Sequence, residues 1–299
     1  MNRRAQIRLL PDGRRLHLQD GPIDLIVEAF GAPQEIERAY RAACARFGAV
    51  LDELCEELSF LRQQSSADAA WPRGKVARRM VAAVLPYAAQ YFITPMAAVA
   101  GAVAEEILAA MVSSAELSRA YVNNGGDIAL SLSAGEEFVV GMVERPDRPS
   151  LVGTSTLRAA NPVRGIATSG WRGRSFSLGI ADAVTVLADR AAAADAAATI
   201  IANAVDLPGH PAIVRVPACE LAPDSDLGDR LVTQAVGELT NAESDLALTS
   251  GTRTAELLLK LGLIRSAALC LQGDIRLVAG VGDSRTIAAR VQERGLVNA

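Results

Sequence analysis

The chain has 299 residues, half of them apolar and 21% charged, with a formal net charge of -4. It is long enough for one large domain or two modest ones. The composition is that of a soluble globular protein and excludes the basic footprint of a nucleic-acid-binding chain. Aromatic residues make up only 4% against abundant alanine, so the core is expected to be built from small aliphatic side chains on closely packed elements.

The opening reads as a β-hairpin, "IRLL-PDG-RRLHLQ", turning at Pro11, Asp12 and Gly13. An amphipathic helix follows from about Pro33 to Gln64. Its apolar residues Ile36, Tyr40, Ala43, Phe47, Leu51, Leu54 and Leu58 recur at steps of three and four. "QQSSADAAWPRG" is a loop, and Pro72 is placed to open a helix running to about Tyr87. Thr94 and Pro95 then start the most apolar helix, "ITPMAAVAGAVAEEILAAM". Pro95, Glu105 and Glu106 interrupt it, which fits a buried helix better than a membrane span. Its small residues around Gly101 leave one flank open to another backbone or to a ligand.

From Ala120 the period becomes strand-like. Strands are predicted at 119–123, 127–132, 136–143, 151–158, 163–168 and 183–188, followed by the helix "ADRAAAADAAATIIANAV" and a short strand at "AIVRV". The remainder reads as a linker from Pro217 to Asp226, helices near 227–239 and 251–261, and the strands "SAALCLQG" and "IRLVAG". Those two strands either complete a sheet or pair across a dimer axis, and a homodimer is the expectation. The order of elements predicts one α+β domain over residues 1–299, a largely antiparallel sheet packed with helices. The N-terminus has no apolar core of signal-peptide length, and a cytoplasmic protein without membrane association is expected. Cys44, Cys55, Cys219 and Cys270 contain no CxxC pair. With only His17 and His210 beside them they give no zinc-ligand spacing, and free thiols are expected.

Three stretches carry candidate chemistry. Asn123, Asn124, Gly125, Gly126 and Asp127 lie between two strands, suiting either a tight turn or a loop whose amides approach a phosphate. In "RGIATSGWRGRSF", Thr168, Ser169 and Gly170 end a strand, with Arg172 and Arg174 beyond to meet phosphate or carboxylate, or simply solvent. There is no GxSxG, which argues against a serine hydrolase. Asp182 precedes an apolar strand. Asp195 and Thr199 stand four residues apart on one helical face, a carboxylate and a hydroxyl that suit Mg²⁺, although Asp195 also suits the dipole at a helix N-terminus.

Read in order, "VNNGGDI" (122–128), "IATSG" (166–170) and "ADAAAT" (194–199) resemble the ApbE superfamily, flavin transferases that move FMN from FAD onto a protein threonine. The likeness covers residues 94 to about 204. "PMAAVAGAVAE", "GIADAVTV" and "GLIRSAALCLQG" resemble an ApbE-related branch. The resemblance implies an ApbE-like fold and a cleft for FAD or another nucleotide or phosphorylated ligand, lined by Gly101, Asn124, Gly125, Gly126, Asp127, Thr168, Ser169 and Gly170. It implies Mg²⁺ on Asp195 and Thr199, with Asp182 or Glu105 as general base or further ligand. The chain departs from the family where Ala100-Gly101-Ala102 replaces lysine-glycine-tyrosine. It departs again where "SFSLGIADAV" lacks the histidine and aspartate-proline that follow the threonine-serine-glycine turn. Two functions therefore stand: Mg-assisted flavin-nucleotide or phosphoryl transfer, or a non-catalytic accessory protein acting through a protein partner in a metabolic pathway, sulfur or homocysteine metabolism included.

Overall fold

The computed structural model describes residues 4–143, 151–280 and 287–289. Chain order gives β1 (Gln6–Leu9), β2 (Leu16–Asp20), β3 (Ile23–Phe30), α1 (Pro33–Glu56), α2 (Leu58–Leu61), α3 (Lys75–Val84) and α4 (Val99–Ser114). Then come β4 (Arg119–Asn124), β5 (Asp127–Leu132), β6 (Glu137–Val143), β7 (Leu151–Arg158), β8 (Gly165–Ser169), β9 (Ala183–Ala188) and α5 (Ala191–Ala204). The chain continues with β10 (Ile213–Pro217), α6 (Ala218–Leu221), β11 (Leu231–Val236), α7 (Asn241–Lys260), β12 (Ser266–Leu271), β13 (Asp274–Ala279) and β14 (Ile287–Ala289).

The class is α+β. Nine strands form one sheet in the order β1-β2-β3-β4-β5-β8-β9-β12-β13, and every neighbouring pair in it is antiparallel. One cross-strand row runs through all nine: Arg8, His17, Ile26, Asn123, Ile128, Ile166, Leu187, Ser266 and Ala279. Because side chains alternate across a sheet, this row marks one face. Its central members Ile128, Ile166 and Leu187 pack with Leu157, Phe138 and Val140 of the smaller sheet β14-β7-β6.

The opposite face carries Leu18, Leu25, Val122, Ala129, Ala167, Val184 and Leu269 against the helices. α4 lies between α1 and α5, and α5 between α4 and α7. α5 is buried nearly all round, with Ala191, Ala192, Ala194, Ala196, Ala197 and Ala198 each at most 3% exposed, as expected of a helix apolar on every side. Pro95–Ser114, spanning a short 3-10 turn and α4, is long and apolar enough to cross a membrane. Here it is a central layer of the core, and its Glu106 is paired with Arg46 and Arg79.

Several predicted elements change. The segment near 227–239 is strand β11 rather than helix. Val232, Thr233 and Val236 favour a pleated surface, the strand pairs with β10, and Thr233 donates its hydroxyl to the Gly179 carbonyl. The last helix starts ten residues earlier than expected, at a capping box formed by Thr240 and Glu243. α3 begins at Lys75 rather than Pro72, because Glu57 accepts the amides of Arg73 and Gly74. β3, between the opening hairpin and α1, has no counterpart among the expected elements. The presumed linker is fastened by Arg62–Asp224, Thr94–Asp226 and Cys219–Asp229 contacts and contains α6. β12 pairs with both β9 and β13 and completes the sheet. Cys44, Cys55 and Cys219 are free thiols.

Candidate functional site

The Asn-Asn-Gly-Gly-Asp stretch is a two-residue hairpin: Asn124 pairs with Asp127, and Gly125 and Gly126 have φ of 66° and 116°. Two successive positive φ values are what such a connection demands and what glycine supplies without strain. Asn123 braces the turn by accepting the Gly126 amide at 2.8 Å. On the helix side of the sheet, Asn124 is buried and donates to the Ala100 carbonyl of α4 at 3.1 Å. Asp127 shares that face, in the row Ile7, Leu18, Leu25, Asn124, Asp127. Its Oδ1 accepts the Thr168 amide at 3.2 Å.

α4 and α5 meet where neither carries bulk. The Gly101 amide donates to Asp195 Oδ2 at 3.0 Å, and the Ala100 amide also bonds that carboxylate. Both amides belong to the first turn of α4, whose N–H groups lack partners within the helix, so Asp195 completes that terminus. A Cβ on Gly101 would stand 2.4 Å from the Ala191 carbonyl oxygen. The flank left open by the missing side chain of Gly101 is therefore closed by the backbone of α5. Gly170 is packed in the same way, since a Cβ there would meet the Asp182 carbonyl oxygen at 2.5 Å.

Two carboxylates thus converge from different elements. Burial pushes Asp127 up to about 7. Asp195 is raised well above the ordinary carboxylate value, by burial first and then by the charge of Asp127, against the lowering pull of the Gly101 and Ala100 amides. Desolvation and like charge both favour the neutral acid, and a cation between the groups would reverse both. Asp127 is oriented by the Thr168 amide and Asp195 by the Gly101 and Ala100 amides, as outer partners orient a ligating carboxylate. Among the described residues no three His, Cys, Asp or Glu come together as a metal cluster. The donor set is hard oxygen and fits Mg²⁺: Asp127 and Asp195 would hold it, with hydroxyls, carbonyls or ligand phosphate oxygens completing the shell.

The other expected residues divide. Ser169 lies on the helix face, in the row with Val184 and Leu269. Thr168 turns its hydroxyl to the opposite face, 2.9 Å from that of Thr185, so it serves Asp127 through its amide alone. Thr199 is one turn beyond Asp195 on α5 and half-buried.

Asp182 is buried, and its carboxylate accepts from Trp171 Nε1 (3.1 Å), Arg172 Nε (2.6 Å) and the Gln272 amide (2.6 Å). Glu105 accepts the Ala192 amide at 2.9 Å, in the first turn of α5, and pairs with Arg79 at 3.2 Å. The two candidate general bases are thus engaged in holding structure. The Ala100 amide and carbonyl were not foreseen, because backbone groups carry no residue signature.

Curated relatives include UPF0280 proteins of Methanopyrus kandleri, 44% identical over 124 residues, and of Methanococcoides burtonii, 40% identical over 119 residues. These matches cover 41% and 40% of this chain and 48% of each relative, so the chain spans about half the length of the curated relatives it matches. Among solved structures, a mutant of the flavin transferase ApbE from Vibrio cholerae aligns over 94% of this chain and 98% of its own, at 11% identity and a TM-score of 0.48. The model of the family described as "AbpE bacteria" matches residues 7–277, and the chain belongs to that family.

Proposed function

We propose that this protein binds a nucleotide or other phosphorylated ligand together with Mg²⁺ in the cleft between the 124–127 turn, the 168–170 turn, the first turn of α4 and the Asp195 face of α5. The observation that carries this is the convergence of Asp127 and Asp195, two carboxylates from separate elements whose mutual repulsion a divalent cation relieves. Family membership supports a flavin nucleotide as the ligand, and phosphoryl or flavin-nucleotide transfer to a protein as the reaction class. Asp127 and Asp195 would hold the metal, and the charge it would supply there favours phosphate.

A second reading, an accessory protein that binds without turnover, is favoured by one observation: Asp182 and Glu105 are both committed to structural partners. A calorimetric titration with FAD, FMN and ATP, with and without Mg²⁺, tests ligand binding. Mg-dependent binding lost in Asp195→Ala supports the cleft, and no binding of any of the three overturns it. Release of a nucleotide product from bound FAD, followed chromatographically in the presence of a threonine-containing protein acceptor, separates transferase from accessory protein.

A further inference from the structure

The hairpin that places Asp127 on the helix side presents its other flank to a separate cavity. This cavity, of about 350 Å³, is lined by Asp24, Ile26, Asn123, Gly125, Gly126 and Arg174. That volume lies within the range of small-molecule sites. Its walls lie on the face away from the helices, because Ile26 and Asn123 belong to the nine-strand row facing the smaller sheet.

Three features make it a built site. Asp24 is oriented by a relay along β1, β2 and β3: Arg8 Nε donates to His17 Nδ1 at 3.0 Å, and His17 Nε2 meets Asp24 Oδ1 at 2.7 Å. A ring nitrogen that accepts from arginine fixes the proton on the other nitrogen, so His17 donates to Asp24 and leaves Oδ2 for a ligand. Arg174 stands over the turn, its Nη1 3.1 Å from where a side chain on Gly125 would begin. The missing side chain of Gly125 leaves room for that guanidinium. Finally, Asp24 and Arg174 form no ion pair with each other, although they line one cavity. Among the described residues Asp24 pairs with His17, while Arg172 and not Arg174 takes Asp182.

We propose that this cavity is a second binding site, for a small anion that carries a hydroxyl or ammonium donor at its far end. Arg174 takes the anionic group, and guanidinium is the side chain best shaped for phosphate or carboxylate. Asp24 accepts from the donor group, and Ile26 supplies the apolar floor. A sugar phosphate and an α-amino acid share this chemistry. The site needs no metal and stands independently of the Asp127–Asp195 cleft.

Ribose 5-phosphate, L-serine and inorganic phosphate are titrated calorimetrically against the full chain in EDTA, which removes the metal-dependent cleft from the measurement. Expected is binding of ribose 5-phosphate that weakens about tenfold in Arg174→Ala and in Asp24→Asn, the loss of one charge-assisted contact in each. Circular dichroism of these exposed and half-exposed variants confirms that they fold. L-Serine binding with the same dependence on both residues also supports the site and identifies the ligand as a zwitterion. No binding of either compound, affinities unchanged in Arg174→Ala, or inorganic phosphate binding as well as the ester and indifferent to Asp24→Asn overturns it. A parallel Mn²⁺ titration of Asp195→Ala reads the other cleft alone, so failure of one site is distinguished from failure of the other.

Discussion

Asp195 reaches from α5 to the Gly101 amide of α4 at 3.0 Å, and the absent side chain of Gly101 is what allows the two helices to stand that close. Helix contact and carboxylate position are therefore one construction. Gly101→Ala places a methyl 2.4 Å from the Ala191 carbonyl oxygen, and both sides are backbone. The expected loss is about 3 kcal/mol, at the upper end for overpacking. Gly48→Ala is the control: it lies in α1 with nothing within 4 Å of the added methyl, and it should gain about 0.5–1 kcal/mol from helix propensity. Urea denaturation of both variants reads the difference. A Gly101→Ala protein as stable as wild type would refute the contact.

Asp127 makes stability depend on pH in a stated direction. Its pKa rises from 3.8 to about 7 on folding. Between those values the folded state holds a proton that the unfolded chain has released. Stability from this group is complete below the lower value, falls as pH rises through the window and is flat above about 7. In EDTA, the melting temperature should decline from pH 5 to pH 7.5, and Asp127→Asn should flatten that decline. Mg²⁺ competes with the proton, so it should raise the melting temperature more at pH 8 than at pH 5. An equal Mg²⁺ effect at both pH values would argue against a carboxylate site.

How far the sequence made this visible depends on the kind of group involved. The α5 helix, the strands on either side of the Asn-Gly-Gly-Asp turn and the turn itself were legible, because period and turn chemistry are written in side chains. β3 was not, since "IDLIVEAF" has consecutive buried residues at Val27, Glu28 and Ala29 that blur its alternation. β11 was read as helix because its pairing with β10 is a tertiary fact. Asn124, Asp127 and Asp195 stand out in the sequence by residue type and spacing, and the structure gives each a partner across elements: Asn124 the Ala100 carbonyl, Asp127 the Thr168 amide and Asp195 the Gly101 amide. Thr168 was found for its hydroxyl, whereas the structure uses its amide. A one-residue shift along a strand changes the face, so Ser169 and Thr168 point to opposite sides. The roles of Asp182 and Glu105 were hidden, because their partners Trp171, Arg172, Gln272, Arg79 and Ala192 are set by long-range packing.

Asp182 is expected to behave as a structural anchor. It is 4% exposed and holds the 171–172 loop and the start of the β12–β13 turn together. Asp182→Asn keeps the shape but removes the charge facing Arg172 and turns one acceptor into a donor facing a donor. A loss of about 3 kcal/mol is expected, as for breaking a buried pair. Ligand affinity measured well below the melting temperature should stay within about twofold, since the Asp182 carboxylate is taken up by Trp171, Arg172 and Gln272 and not by the proposed Asp127–Asp195 site. A stable Asp182→Asn protein that binds normally but loses turnover would instead return Asp182 to catalysis.

Glu105 ties the site to the ion network behind it. Arg46 bridges Glu53 and Glu106, Arg79 bridges Glu106 and Glu105, and Glu105 accepts the Ala192 amide in the first turn of α5. Burial alone would raise Glu106, but Arg46 and Arg79 hold it below the ordinary value, so its contribution to stability is present at neutral pH and lost on acidification. Glu105→Gln retains an acceptor for Ala192, whereas Glu105→Ala leaves that amide without its cap. The expected cost is about 1 kcal/mol more for alanine than for glutamine, the scale of a lost N-terminal cap. Because Asp195 sits one turn further along α5, loosening the helix start should also lower Mn²⁺ affinity in Glu105→Ala and leave it nearly intact in Glu105→Gln. Mn²⁺ affinity at the wild-type level in both variants would show that Glu105 stabilises α5 without positioning Asp195. An equal loss in both would mark its charge, rather than its capping bond, as the part that reaches the metal.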